Sequence, residues 1–486
     1  MPALSRRFHA YPTIALVTAL AACSEPTTVP STLSPSAAAA DRNGSTDDHP
    51  EPRRRGRVQC DADNGGITLP PGFCAVVVAD NLGAARHMVL TPAGDLFVAI
   101  NQGARDPAPP FGIIALRDAN GDGKADVMQG FNPGKGGSGI DWLGGRLYFG
   151  ENDRVLRYRL HSGDLTPSGG PEVVVGGLPN TGDHISKTVV LRDERTLFVN
   201  IGSATNSCQV ANRQAQSPGI FPCPELPVRA GVWTFNALGT GQTEANGQRY
   251  ATGYRNMVAL ALQPRTHELF GVQHGRDMLF ENWPQFFTVD EDAVLPAEEL
   301  VHIGRGSNNG WPYCYFDAVF QHRKVLAPEY GGDGEKVQGT QGIDCASYNQ
   351  PLATFGAHWA PNGMHFYDGK QFPTRYRNGA FVAFHGGFDR APLPNEGFKV
   401  MFVPMTKDGQ PSGAAEVFAD NFAGSPGPLP ATAKHRPVGV AEGPDGSLYI
   451  SDDRGGRIYR VIFVGQRGDG DDDDDHDAQR DDHHGP

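Results

Sequence analysis

Between residues 73 and 464 the chain reads as short apolar runs bounded by clusters of Asp, Asn, Gly, Pro and Arg. Runs of that kind, rich in Val, Ile, Phe and Tyr, predict β-strands and hairpins, not helices. One pattern recurs, a polar turn followed by an apolar and an aromatic residue that open a strand: Leu96-Phe97, Leu147-Tyr148, Leu197-Phe198, Leu269-Phe270, Ala380-Phe381 and Leu448-Tyr449. The aromatic members lie 51, 50, 72, 111 and 68 positions apart, the period of a propeller blade with loops of uneven length. Six repeats predict an all-β chain folded as a six-bladed β-propeller. Phe73 to Val78 and Arg457 to Val464 are both strand-like, so the two ends of this region are expected to share the blade that closes the ring. The widest gap contains Cys314 and Cys345, which predicts a stapled insertion over one face.

Composition agrees with many short strands and many turns: of 486 residues, 62 are Gly and 39 are Pro. The formal charge of −13 is concentrated at one end, where residues 467–486 hold nine Asp against two Arg. The rest is only mildly acidic, and no basic patch supports a nucleic-acid partner. The tail 466–486 reads as disordered and acidic.

Residues 1–22 have the layout of an export signal, with Arg6 and Arg7 before an apolar stretch, and Leu20-Ala21-Ala22-Cys23 resembles a lipobox. Cys23 is therefore the expected lipidation site, an ordinary cleaved signal being the alternative. Residues 23–58, rich in Ser, Thr, Pro and Ala, read as a tether and residues 59–465 as the folded domain. The membrane is a partner through the lipid alone, in the bacterial envelope. Seven cysteines less Cys23 leave six, an even number suited to an oxidising compartment. Fifteen pairings are open; the simplest joins nearest neighbours, Cys60 with Cys74, Cys208 with Cys223, and Cys314 with Cys345. No Cys-x-x-Cys-His occurs for covalent haem, and no Gly-x-Gly-x-x-Gly opens a nucleotide-binding unit.

Asp118, Asn120, Asp122, Lys124 and Asp126 alternate along a Gly-containing turn, a spacing that offers a hard cation several oxygens. The flanks look like strands and position twelve is Gln129, so the expectation is a structural Ca²⁺ hairpin; a solvated Asp/Gly turn is the plain alternative.

Several motifs occur in a telling order: Gly177-Leu178-Pro179, Asp183-His184, Gly253-Tyr254-Arg255-Asn256, Gln273-His274-Gly275, Gly310-Trp311-Pro312, Phe384 to Arg390, and Arg436-Pro437 before Gly443-Pro444-Asp445-Gly446. In this order the chain resembles the glucose/sorbosone dehydrogenases, quinoproteins that use pyrroloquinoline quinone and calcium. His184 to Thr188, Gly202-Ser203 with Asn206, and Pro296 to Leu300 are also similar to fungal pyranose dehydrogenases.

The resemblance implies oxidation of a small-molecule sugar, an aldose, pyranose or sorbosone-like compound, with electrons passed to an acceptor it does not identify. It implies His184 as general base, Arg255 at the quinone oxygens and Asn256 beside the cofactor. It further implies Gly275 and Arg276 carbonyls at a catalytic Ca²⁺, Glu298 near the sugar, Glu299 at a structural calcium, and Arg390 and Arg436 on cofactor carboxylates. The family's aspartate that orients the histidine falls on Ser203, a second arginine falls on Val438, and residues 277–295 are extra. Two rival readings remain: a calcium-dependent lactone hydrolase, and a propeller that binds a ligand without catalysis.

Overall fold

The computed structural model describes residues 58–101 and 109–466. The export signal, Cys23, the tether up to residue 57 and the acidic tail from 467 lie outside the described residues. Six blades follow one another in the sequence, each built on four antiparallel strands, with Gln242–Thr243 added in parallel at the outer edge of the second. Blade 1 is Ala84–Leu90, Leu96–Asn101, Ile113–Arg117 and Val127–Phe131; blade 2 is Gly137–Leu143, Arg146–Glu151, Arg154–Arg159 and Glu172–Gly176. Blade 3 is Val189–Leu191, Thr196–Ile201, Gly231–Asn236 and Gln248–Thr252; blade 4 is Ala259–Leu262, Leu269–Gln273, Glu298–Ile303 and Ala353–Phe355. Blade 5 is Pro361–Phe366, Ala380–Phe384, Lys399–Val403 and Glu416–Ala419. Blade 6 takes Pro437–Glu442, Leu448–Asp452 and Ile458–Phe463 from the end of the domain and Phe73–Ala79 from its beginning.

Every one of the six apolar-aromatic pairs lies at the start of a blade's second strand. That strand is flanked by partners in its own sheet and covered on both faces by neighbouring blades, so it is buried almost throughout. Burial on both faces explains a continuous apolar run where a half-exposed strand would alternate. In blade 6 the preceding turn needs Gly446 at φ 79°, whose N–H donates to Gly443 O at 2.8 Å and lets the chain reverse into Leu448.

The expected closure forms with antiparallel register Phe73 to Phe463. Phe73 lies edge-on to Phe372, Tyr376, Phe418 and Phe463 at centroid distances of 4.7, 5.3, 5.2 and 5.0 Å. Such pairs contribute about 0.5–1.5 kcal/mol each beyond area burial, so the closing strand is held by rings as well as by its ladder. The Cys60–Cys74 disulfide ties the incoming chain to this strand, and the other two bridges, Cys208–Cys223 and Cys314–Cys345, also join nearest neighbours.

Strands alternate in direction, so loops between second and third strands emerge at the same end of the ring as those leading into each first strand. At that end blades 3 and 4 carry long insertions, 202–230 and 274–297. A third, 304–352, leaves blade 4 between its third and fourth strands and climbs along blade 3, where Asn308 pairs with Thr252. The three insertions bury a core of their own around Trp283, Trp311, Tyr313, Tyr330 and two disulfides. This is the stapled insertion foreseen from Cys314 and Cys345, enlarged by two more segments.

Candidate active site

His184 lies just before the first strand of blade 3, and Ser203 lies just after the second strand of the same blade. The imidazole Nδ1 is 2.9 Å from Ser203 Oγ and 3.0 Å from Ser203 O. Ser203 Oγ donates its own proton to Thr205 O at 2.6 Å, so both Ser203 oxygens accept from the ring. Nδ1 therefore carries the hydrogen, and in the neutral ring Nε2 presents a lone pair. Burial, followed by the nearby Arg255 charge and His274, holds the pKa well below the usual histidine value. The orienting part that the sequence left unassigned is thus Ser203, while Asp183 turns to Arg213, whose Nε donates to it at 3.0 Å.

Arg255 is almost fully buried. Its Nη2 donates to Asp277 Oδ2 at 2.8 Å and to Asn206 Oδ1 at 2.9 Å, Nε to Asn206 O at 3.1 Å, and Nη1 to Gly275 O at 2.7 Å. Arg213 reaches Asp277 Oδ2 as well, at 2.9 Å, linking the His184 loop to the 277–295 insertion. Asp277, the first residue of that insertion, is a partner that motif reading missed. Asn256 Oδ1 is buried with no hydrogen-bond partner among the described residues.

Blades 5, 6 and 1 bring a second group to the same end. His385 Nε2 lies 2.7 Å from Asp453 Oδ1, and Arg86 Nη1 donates to Asp453 Oδ2 at 2.8 Å. Arg436 donates through Nε to His385 O at 3.0 Å and through Nη2 to Gly386 O at 2.5 Å. Arg86 Nε is buried without a partner among the described residues. Arg86, His385 and Asp453 escaped the sequence reading. The signal that would have found two of them is the repeat itself, since His385 and Asp453 directly follow the second strands of blades 5 and 6, as Gly202 and His274 follow those of blades 3 and 4.

The TrAA12-like family model matches residues 67–463, most of the chain and all six blades. The chain belongs to the TrAA12-like family. Among solved structures it is similar to the Trichoderma reesei family AA12 carbohydrate-active enzyme, with 20% identity, TM-score 0.65, and coverage of 84% of this chain and 100% of that one. It is also similar to the pyranose dehydrogenase PQQ domain of Coprinopsis cinerea, with 20% identity, TM-score 0.64 and coverage of 82% and 97%. A glucose dehydrogenase matches at 18% identity and TM-score 0.52 over 81% and 99%. An uncharacterized protein of Borreliella burgdorferi is 30% identical over 220 residues, 44% of this chain and 48% of that one, so the match spans about half the length of that curated relative. The family resemblance drawn from ordered motifs is borne out.

In this TrAA12-like chain the remaining expected residues are spread more widely. Gly275 O already accepts from Arg255, whereas Arg276 O accepts no hydrogen bond from a described residue. Glu298 is buried between blades 4 and 5, where its carboxylate accepts from Gly275 N at 2.7 Å and Ala360 N at 3.0 Å. Burial pushes its pKa up to about 7. It holds backbone and does not face an open sugar pocket. The cation beside Glu299 is the chain's own Lys324, whose fully buried Nζ lies 2.7 Å from Oε2 and donates to Asn309 O at 2.6 Å. A structural calcium at Glu299 does not fit a carboxylate so paired. Arg390 stands apart from the axial group, its Nη1 on Ala357 O at 3.0 Å and its Nε on Pro394 O at 3.1 Å, in a groove with Met401 and Ala415. Those bonds clamp the loop around Pro394 to the segment at Ala357.

The Asp118–Asp126 hairpin joins the third and fourth strands of blade 1, at the end opposite His184. Asp118 accepts from Gly121 N and Gly123 N, and Asp126 Oδ2 accepts from Ala119 N and Asn120 N. The loop is bound to the closing strand, with Ala125 N donating to Val78 O at 2.9 Å, and to the segment before it, with Lys124 Nζ donating to Asp61 Oδ1 at 3.0 Å.

Proposed function

We propose that this protein oxidises a hydroxyl of an aldose, pyranose or sorbosone-like sugar, with pyrroloquinoline quinone and Ca²⁺ as cofactors and an external electron acceptor. The observation that carries the reading is His184, a neutral imidazole fixed through Nδ1, with Nε2 unpaired among the described residues. That is the state a general base needs before it takes a hydroxyl proton. The fold neighbours, a pyranose dehydrogenase PQQ domain and a glucose dehydrogenase, lend support.

The chain's residues suit a flat, multiply carboxylated quinone. Arg86 and Arg436 offer guanidinium groups on one side, the unpartnered Arg86 Nε and Asn256 Oδ1 offer a donor and an acceptor, and Arg255 stands opposite. Pyrroloquinoline quinone, when bound, supplies the hydride acceptor. His184 Nε2 accepts the sugar's hydroxyl proton, Ser203 keeps the imidazole in its tautomer, and Asp277 holds the Arg255 charge in place. The carbonyls of Gly275 and Arg276 are the proposed calcium ligands, which requires Arg255 Nη1 to release Gly275 O. The Asp118 to Asp126 hairpin is proposed as a second, structural calcium site, where Asp122→Ala should lower the Tm and its response to Ca²⁺ without changing quinone affinity. Three disulfides suit an exported protein; the lipid anchor on Cys23 is proposed with it.

The test is to add quinone with Ca²⁺ to purified apo-protein and follow sugar-dependent dye reduction. Turnover of lactones without quinone would favour a hydrolase. Undetectable quinone binding in the presence of Ca²⁺ would favour a binding propeller.

A further inference from the structure

His358 lies between the last strand of blade 4 and the first strand of blade 5 and is 6% exposed. Its backbone is left-handed, with φ 63°, a conformation that a residue other than glycine keeps where its surroundings fix it. Nε2 is 2.8 Å from Asp292 O, and a carbonyl can only accept, so Nε2 carries a hydrogen. Nδ1 faces Asp277 Oδ1 at 3.8 Å, an ion-pair distance too long for a hydrogen bond. A ring nitrogen of His358 and one oxygen each of Asp277 and Asp389 lie within 4.8 Å of one another, and Asp389 stands as close to Asp292 and Glu281.

The acidic groups around this ring come from two parts of the chain. Asp277, Glu281 and Asp292 belong to the 277–295 insertion of blade 4, and Asp389 follows the second strand of blade 5. Glu298, in the third strand of blade 4, also feels the charge of the ring. The arginines on this side, Arg255 and Arg213, are both spent on Asp277 Oδ2. Asp389 accepts from Met278 N at 2.9 Å and Asp292 from Leu279 N at 2.7 Å, bonds that fix the carboxylates without neutralising them. A neutral ring would turn the Nδ1 lone pair toward Asp277, setting electron-rich atoms against each other where water does not screen them. A second ring proton makes the same contact attractive. Burial alone would lower the pKa of this imidazole, but Asp277 above all, with Asp292 O and Asp389, raises it to about 9.

We propose that His358 is a buried imidazolium and a positioning residue, the cation that holds Asp277 in place for Arg255 and ties the 277–295 insertion to blade 5. It gives Asp277 a positive neighbour at Oδ1 while Arg255 and Arg213 hold Oδ2. Loss of the Nδ1 proton loosens Asp277 and, through it, the Arg255 guanidinium. A group whose pKa rises from 6.5 to about 9 on folding contributes in full below pH 6.5, and its contribution is lost as the pH rises through about 9. The site thereby acquires an alkaline limit. The ring's charge is independent of any reaction, whereas its effect on quinone rests on the function proposed above.

Long-range ¹⁵N–¹H NMR of the ¹⁵N-histidine-labelled protein tests the charge without quinone, calcium or sugar, with His358→Gln assigning the signal. The expected result is a ring protonated on both nitrogens at neutral pH that titrates near pH 9. Asp389→Asn keeps an acceptor for Met278 N and removes one charge, so it should bring that midpoint down by about one pH unit. A midpoint at or below 6.5, or an Nδ1 without a proton at neutral pH because a metal ion holds it, would overturn the proposal. The positioning role is read from quinone titrations at several pH values. Parent affinity should fall roughly tenfold as the pH passes 9, whereas His358→Gln should bind about as weakly at neutral pH and show no such step. The same alkaline step in parent and variant would reject the positioning role. Absence of quinone binding at every pH would count against the dehydrogenase reading, and the titration of the ring would still decide its charge.

Discussion

The wall that carries His184 and Arg255 stands under insertions whose shared core buries Trp283, Phe287, Trp311, Tyr313, Tyr330 and two disulfides. The wall that carries Arg86, His385, Arg436 and Asp453 has near it a small cluster of Phe398, Ala423 and Ala433, with Phe398 under the Arg436 guanidinium. The first wall is positioned by packing, by the neutral hydrogen bonds that join His184 to Ser203 and Ser203 to Thr205, and by Arg255 and Arg213 on Asp277; the second has little packing of its own and converges on Asp453, through an ion pair from Arg86 and a hydrogen bond with His385. Packed groups keep their geometry while charge shifts, which suits proton transfer; an excess of buried cations suits the grip on an anion.

The largest effect should come from the packed wall. His184→Ala is expected to bind quinone and Ca²⁺ nearly as well as the parent and to lose about 10²- to 10⁴-fold in turnover. Absorbance titration with quinone and sugar oxidation at saturating cofactor would check it, and near-parental turnover would sink the mechanism. Arg255→Ala should lose both affinity and rate. On the opposite wall, Arg86→Ala should weaken quinone binding roughly ten- to a hundredfold, the worth of a hydrogen bond to a charged group, and leave turnover at saturation largely intact. A rate loss with unchanged affinity would assign Arg86 to the first wall's task.

Next in size is the roof. Replacing Cys208 and Cys223 by serine opens a bridge with a sequence separation of 15, which the chain-entropy relation values at roughly 3 kcal/mol. The expected outcome is a lower Tm together with a loss of turnover, since Asn206 and Arg213 lie in the same segment. If turnover at a permissive temperature were unchanged, the roof would be a stability element only.

The smallest effect is on acid stability. His87, beside Arg86, has Nε2 2.7 Å from Asn362 O, and burial lowers its pKa from 6.5 to about 4. Between those values the unfolded chain binds a proton that the folded one refuses, so stability is full above pH 6.5 and is lost as the pH falls toward 4. His87→Gln should give a shallower decline of Tm with acid; an unchanged slope would remove His87 from the account.

The propeller was legible because each second strand is buried on both faces and therefore shows as an apolar-aromatic opening after a turn. His184, Arg255 and Asn256 were legible because they sit in short motifs. Arg86 and Asp453 were not, since only ring closure joins positions 367 apart in sequence. Nor could spacing reveal that Lys324 would neutralise Glu299 from a later insertion, or that Arg390 would bond Ala357 O instead of reaching the axis. Ser203 was visible as a departure, but its use as an acceptor depends on Thr205 O taking its proton.

The pairing of Phe73–Ala79 with Ile458–Phe463 also sets an order of assembly. The earliest strand of the domain has no partner until almost the whole domain has been synthesised, and until then it presents open ladder groups of the kind that invite wrong association. A chain whose first strand must wait for its last suits delivery across a membrane before folding, and any release short of residue 463 would leave blade 6 with an unpaired edge at each end of the ring.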